Sequence, residues 1–226
     1  MVEKKEIFRG GGAPESPSTS TPSSEPDALT LVIRSDAGFA ASCLRLFQKG
    51  FFVSVGAGSS VRSLLHDVLG LEPAYIEQRI TTIFLDGKPV DDPDGATLRD
   101  GSTLSLSGAM PGLVGAAMRR SGPVAALRSS ITFGRLSGEF SGRALVRVKL
   151  FNMVLNDMGS GFLAAGVLLR TAELVDFLRE QPVPPRPSCP EALVDGAPVP
   201  VSTLATALRT GFTRFSVLVE PPPDCP

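Results

Sequence analysis

The phrase FLDGKPVDD at residues 84–92 returns as LVDGAPVPV at residues 193–201. In both copies an Asp-Gly pair stands among apolar residues, at positions 86–87 and again at 195–196. A two-residue hairpin turn needs positive φ at both of its positions, and Asp-Gly is a pair that accepts this backbone conformation. The sequence therefore predicts one β-hairpin in each half of the chain.

Strands are predicted on both sides of the first hairpin. The runs LTLVIRS (29–35) and FFVSV (51–55) are short and rich in branched or aromatic residues, as strands are. STLSLSG (102–108) alternates apolar and polar residues and is predicted to be a closing strand. Between the first two strands, CLRLFQKG (43–50) is either the near arm of a hairpin or a small insertion.

One amphipathic helix is predicted between FFVSV and the hairpin. Residues 61–69 place Val and Leu at helical intervals, with Val68 on the apolar face. Ser59 or Ser60 can cap the start of this helix, and Gly70 can end it. The first half therefore reads strand, strand, helix, hairpin, strand.

The second half repeats this order. Residues 145–155 are predicted to be a strand, 162–169 its return strand, and 171–181 a helix that Thr171 caps. RFSVLVE (214–220) follows the second hairpin as a closing strand. Asp86 corresponds to Asp195, Leu64 to Leu174 and Leu104 to Val217. The offset between these pairs is nearly constant, which is what a duplication leaves.

Two segments lack such patterns: one precedes the repeats, and the other lies between them. Residues 10–26 contain no Val, Ile, Leu, Phe, Tyr or Met, so we predict a disordered leader over 1–27. The linker 109–143 carries five Arg and one Glu. These arginines either meet an acidic partner or keep a connecting segment soluble.

Composition argues against several classes of function. The net charge is −1 and the chain has thirteen Phe, one Tyr and no Trp, so we expect neither a nucleic-acid partner nor a membrane partner. Three cysteines and a single histidine, His66, do not form a metal-binding or nucleophile–base pattern. We therefore expect no catalytic, metal-binding or cofactor-binding residues, no cofactor and no enzymatic activity, in a cytoplasmic protein.

Residues 53–112 resemble the ubiquitin-like and sulfur-carrier β-grasp family in the strand that feeds a helix, the DGK turn and the final LRDGSTLSL strand. The repeat is similar to tandem two-domain ubiquitin-like modifiers of bacterial antiphage operons. The resemblance implies an α+β fold with two tandem ubiquitin-like β-grasp domains, at 28–108 and 144–220, after the disordered leader. It also implies activating and conjugating enzymes as partners.

A C-terminal tail over 221–226 is the predicted site of partner engagement. Its consecutive prolines hold the chain extended and cannot donate backbone hydrogen bonds to a sheet. The candidate residues are Pro221, Pro222, Pro223, Asp224, Cys225 and Pro226. This tail departs from the family pattern because it lacks glycine; the Arg-Gly-Gly string of the chain is at Arg9, Gly10, Gly11 and Gly12, where it also fits a flexible leader.

Two hypotheses follow from the repeat and its tail. The first is a ubiquitin-like modifier or carrier, acted on by activating and conjugating enzymes in antiphage defence. The second is a tandem β-grasp interaction module, an adaptor or structural protein that is never conjugated, and the lack of glycine in the tail favours it. The sequence does not indicate the oligomeric state.

Overall fold

The computed structural model describes residues 26–108, 112–120, 122, 133, 140–181 and 192–219. In this part of the chain the strands are β1 (Ala28–Ser35), β2 (Phe51–Gly56), β3 (Thr82–Leu85), β4 (Lys88–Pro89), β5 (Thr103–Ser107), β6 (Arg143–Phe151), β7 (Val167–Arg170), β8 (Ala192–Val194), β9 (Ala197–Pro198) and β10 (Phe212–Val219). The helices are α1 (Ala37–Cys43), α2 (Leu46–Lys49), α3 (Val61–Ser63), α4 (Pro73–Gln78), α5 (Gly112–Met118), α6 (Asn152–Ala165), α7 (Thr171–Glu180) and α8 (Leu204–Ala207). A π-helical turn covers Leu64–Val68, and a 3-10 turn covers Val201–Thr203. The predicted α+β class is confirmed.

The hairpin and the strand that follows it recur in the second half of the chain. Strands β3, β4 and β5 begin at positions 82, 88 and 103, and β8, β9 and β10 begin at 192, 197 and 212. Both predicted hairpins are confirmed: β3 pairs with β4, and β8 pairs with β9. Each turn has positive φ at both central residues, 50° and 79° at Asp86 and Gly87 and 49° and 81° at Asp195 and Gly196.

The described residues fall into two compact units. The first contains residues 54–146, and the second contains residues 26–53 together with the chain from Arg147 onward. Strands β2 and β6 therefore each contribute residues to both units. This division differs from the predicted boundaries, 28–108 and 144–220, because β1, α1 and α2 belong to the second unit although they open the first half of the sequence.

In the first unit the strand order is β4-β3-β5-β6-β2. Strand β3 pairs antiparallel with β5, with Leu85 opposite Leu104. Both of these leucines are fully buried, as are Leu64 and Leu65 on the helical segment that follows β2. Packing of one amphipathic helical segment and one sheet therefore supplies the core of this unit.

In the second unit the strand order is β6-β2-β7-β10-β1-β8-β9. The unit is mixed, since β1 runs parallel to β10 over its full length, whereas β7 and β8 are antiparallel to their neighbours. Along β10 the residues Thr213, Phe215 and Val217 are buried and the alternate residues are half-buried or exposed. Helices α1, α6 and α7 contact β10.

Helix α6 corrects one sequence prediction. The sequence predicts a strand over 145–155 and its return strand over 162–169, but α6 stands between β6 and β7. A helical interval of three to four residues separates the buried side chains of α6, which include Val154, Leu155, Met158 and Phe162. A Cβ at Gly159 would lie 2.9 Å from Leu44 Cδ2, so a larger residue there would require the Leu44 side chain to move.

The helical segment after β2 confirms the predicted caps and corrects its apolar face. The Ser60 hydroxyl accepts a hydrogen bond from the Ser63 N–H at 3.1 Å, and Gly70 has a φ of 67° beyond the end of the segment. Val68, predicted to be in the core, is 47% exposed. The π-helical turn, in which the Leu69 N–H donates to the Leu64 carbonyl, adds a residue and so shifts the side chains that follow it.

The segments predicted as leader and linker are described only in part. Residues 1–25 of the leader lie outside the described residues. In the linker 109–143, helix α5 is followed by Arg120, whose guanidinium donates to the carbonyl oxygens of Ile76 and Ile80, each at 2.8 Å. The side chain of Arg120 is 7% exposed. This part of the predicted linker therefore packs within the first unit.

Candidate functional site

The predicted site, Pro221 to Pro226, lies outside the described residues, so its role stays a prediction. The described chain reaches Val219, the last residue of β10. Leu218 and Val219 are 41% and 54% exposed, whereas the interior of β10 is buried on alternate residues. An exposed apolar strand end therefore leads directly towards the predicted tail.

Within the described part of the chain, the chemically reactive side chains are not grouped. Among the described residues, no three His, Cys, Asp or Glu side chains are placed to hold a metal ion. His66 is half-buried, and its Nδ1 lies 3.0 Å from the Leu71 carbonyl oxygen. Because a carbonyl only accepts, Nδ1 carries the proton in this hydrogen bond. Burial raises the pKa of the Cys43 thiol to about 12.

A groove of about 340 Å³ opens beside helix α7 in the second unit. One wall is α7, and the other is the loop 208–211, which leads into β10. Val175 and Leu208 are buried side chains that line the groove. The lining of the groove between α7 and the loop 208–211 is therefore partly apolar.

The two walls are joined at Thr171. The sequence predicted that this residue caps α7, but Arg170 occupies the cap position and Thr171 is the first helical residue. The Thr171 N–H donates to the Gly211 carbonyl oxygen at 3.0 Å, and its buried hydroxyl lies 2.8 Å from that of Thr213. Gly211 has a φ of 112°, a conformation that strongly favours glycine. These bonds fix the loop against the helix.

Three arginines and one carboxylate line the groove: Arg170, Arg179, Arg209 and Asp176. Arg179 and Asp176 pair at 3.5 Å, but both are well exposed, and such pairs contribute little to stability. Neither Arg170 nor Arg209 has a carboxylate partner among the described residues. Two positive charges that no described carboxylate neutralises therefore border an apolar groove.

Aromatic rings hold Arg170 in place. Its guanidinium carbon lies 5.2 Å from the ring centroids of both Phe52 and Phe212, and these rings pack edge to face with centroids 5.1 Å apart. The guanidinium carbon of Arg147 also lies over the Phe52 ring, 4.7 Å from its centroid. Arg147 donates a hydrogen bond to the Glu173 carboxylate at 2.9 Å. Cation–π contacts of this kind restrict a long side chain without neutralising its charge.

The sequence prediction missed this groove. Arg170 ends β7 and Arg209 stands in the loop before β10, so helix α7 and the second hairpin come between them in the chain. The sequence held only two local indications of it: Arg170 stands immediately before the helix predicted at 171–181, and Arg209 stands two residues before Gly211. Only the antiparallel pairing of β7 with β10, which sets Arg170 opposite Phe212, brings the two segments together.

Comparison with known proteins identified no relative of this chain. No protein-family model, curated protein or solved structure matches the chain. In the described part of the chain, no helix has both the length and the apolar character that a membrane crossing needs.

Proposed function

We propose that this protein is a ubiquitin-like modifier or carrier that acts through partner proteins in the cytoplasm and performs no catalysis itself. Activating and conjugating enzymes of a bacterial antiphage pathway are the proposed partners. The observation that carries the proposal is the repeated element order with its paired Asp-Gly hairpins, at Asp86 and Asp195. Each half places its hairpin between a helix and a last strand, as a β-grasp domain does.

The tail is the proposed point of engagement. Strand β10 ends at Val219 with two exposed apolar residues, and three consecutive prolines follow at 221–223. Prolines favour the extended polyproline conformation and leave no N–H for pairing with a neighbouring strand. An extended segment of this kind suits the narrow channel of an activating enzyme or a binding groove.

Deletion of residues 221–226 tests this proposal. The full chain and the truncated chain are each co-expressed with the neighbouring genes, purified, and compared by intact mass and by partner recovery. We expect a covalent adduct or a recovered partner for the full chain only, with equal urea denaturation midpoints for the two proteins. Equal partner recovery from both proteins would refute engagement through the tail.

A non-conjugated interaction module is the second candidate function. One observation favours it: the groove beside α7 presents Arg170 and Arg209 without carboxylate partners among the described residues. Stable partner recovery with an unchanged intact mass would support this function over that of a modifier.

A further inference from the structure

We propose that the groove beside α7 binds an acidic, extended segment of a partner protein, with Arg170 and Arg209 contacting its carboxylates. The inference rests on the proposed function only in taking a protein as the partner. It assigns a second recognition surface, separate in sequence from the tail.

The charges of the groove select an anion. Its lining carries three arginines against Asp176, and Asp176 already pairs with Arg179. Arginine presents a planar set of donors that matches a carboxylate in two parallel hydrogen bonds. Because Phe52 and Phe212 already restrict the Arg170 side chain, it loses little conformational freedom when a carboxylate binds.

The apolar lining selects a peptide over a nucleic acid. Val175 and Leu208 offer aliphatic surface, which suits a short apolar side chain between two acidic residues. Single-stranded nucleic acid instead needs free aromatic faces for its bases. The two nearby rings are already occupied: Arg147 and Arg170 lie over Phe52, which is 8% exposed, and Arg170 also lies over Phe212.

The walls of the groove are set before any ligand arrives. Thr171 bonds to Gly211 and Thr213, and this joins the first turn of α7 to the loop and to β10. Binding therefore requires no rearrangement of these elements, and the affinity depends on the arginines.

The test is fluorescence anisotropy of the full chain with a labelled peptide of alternating Glu and Leu. A matched peptide with Gln in place of Glu is the ligand control. We expect the Glu peptide to bind, the Gln peptide to bind roughly tenfold more weakly or worse, and the affinity for the Glu peptide to fall as salt is added.

Variants locate the site. Arg209→Glu, at an exposed residue, should weaken binding roughly tenfold or more, and Arg170→Lys should weaken it because lysine lacks the planar donor set. Arg45→Glu is the matched control, since it makes the same change in charge at another exposed arginine of the same unit and should leave the affinity unchanged. Urea denaturation midpoints establish that each variant is folded.

Three outcomes would overturn the inference. Equal affinity for the Gln peptide would remove the role of charge, and equal loss in Arg45→Glu and Arg209→Glu would indicate diffuse attraction instead of a site. Tighter binding of oligothymidine than of the Glu peptide, lost in Arg209→Glu, would identify a nucleic-acid site. The peptide assay contains no partner enzyme, so equal partner recovery after tail deletion refutes engagement through the tail without bearing on the groove.

Discussion

Truncation of Ile33 to alanine should destabilise the second unit, although Ile33 lies in the first half of the sequence. Ile33 is fully buried in β1 and faces Val217 of β10 and Ala192 of β8 across the two neighbouring pairings. Removing three buried carbons costs ~2.4 kcal/mol in transfer free energy at ~0.8 kcal/mol each. The cavity left behind raises the total to ~3 kcal/mol.

Native-state hydrogen exchange of individual amides measures where this loss falls. We expect the β10 amides of Phe215 and Val217 to exchange roughly a hundredfold faster, because ~3 kcal/mol of opening free energy corresponds to about two powers of ten. The β5 amides of Leu104 and Leu106, in the first unit, should keep their protection.

Ile83→Ala provides the matched control. Ile83 is also fully buried, but it lies in β3 of the first unit, so its truncation should accelerate exchange in β5 and spare β10. Faster exchange in β5 with β10 unchanged, after Ile33→Ala, would place β1 with the first half of the chain. Equal acceleration in both strands would show that the two units open together. Either result would refute the assignment of β1 to an independently opening second unit.

Three further predictions concern buried groups. Leu64→Ala and Leu174→Ala should each lower the free energy of unfolding by ~2–5 kcal/mol, since both side chains are fully buried. Val68→Ala should cost less than ~1 kcal/mol in the same urea titration because Val68 is exposed, and the reverse ranking would contradict this burial. Arg120→Ala should cost ~2 kcal/mol because it leaves buried carbonyl oxygens without donors, and a urea midpoint equal to that of the unaltered chain would count against it. Cys43, in a variant whose other two cysteines are serine, should resist thiol reagents at pH 8, and rapid labelling of the folded protein would refute this. Burial raises the pKa of Cys43 from 9.0 to about 12, so the folded state holds the thiol proton more tightly than the unfolded state does. The free energy of unfolding should therefore fall as pH rises from about 9 towards 12.

Both Asp-Gly turns and the Ser60 cap were predictable from the sequence because their causes are local, whereas the predicted cap at Thr171 was wrong because Arg170 occupies that position. Asp86-Gly87 and Asp195-Gly196 accept positive φ wherever the chain places them, and the Ser60 cap needs only the N–H of a residue three positions later. The repeat was visible for the same reason, since each copy carries its own turn.

Helix α6 and Val68 mark the limit of this local information. The buried residues of α6 have helical spacing, but the flanking runs are rich in strand-forming residues, and the close contact of Gly159 with Leu44 is a tertiary feature. Val68 fits the apolar face of a regular α-helix by its spacing, but it lies in the π-helical turn and is exposed.

The sequence by itself determined the α+β class and both hairpins. Only the tertiary structure decided that β1 lies beside β10, and that Arg170 and Arg209 border one groove. The physical reason is that strand pairing is non-local: the backbone groups of β1 could pair with any strand of suitable length, and the choice depends on which side chains are buried together. A groove whose walls are brought together by such pairing, here α7 and the loop 208–211, is therefore absent from any single stretch of the sequence.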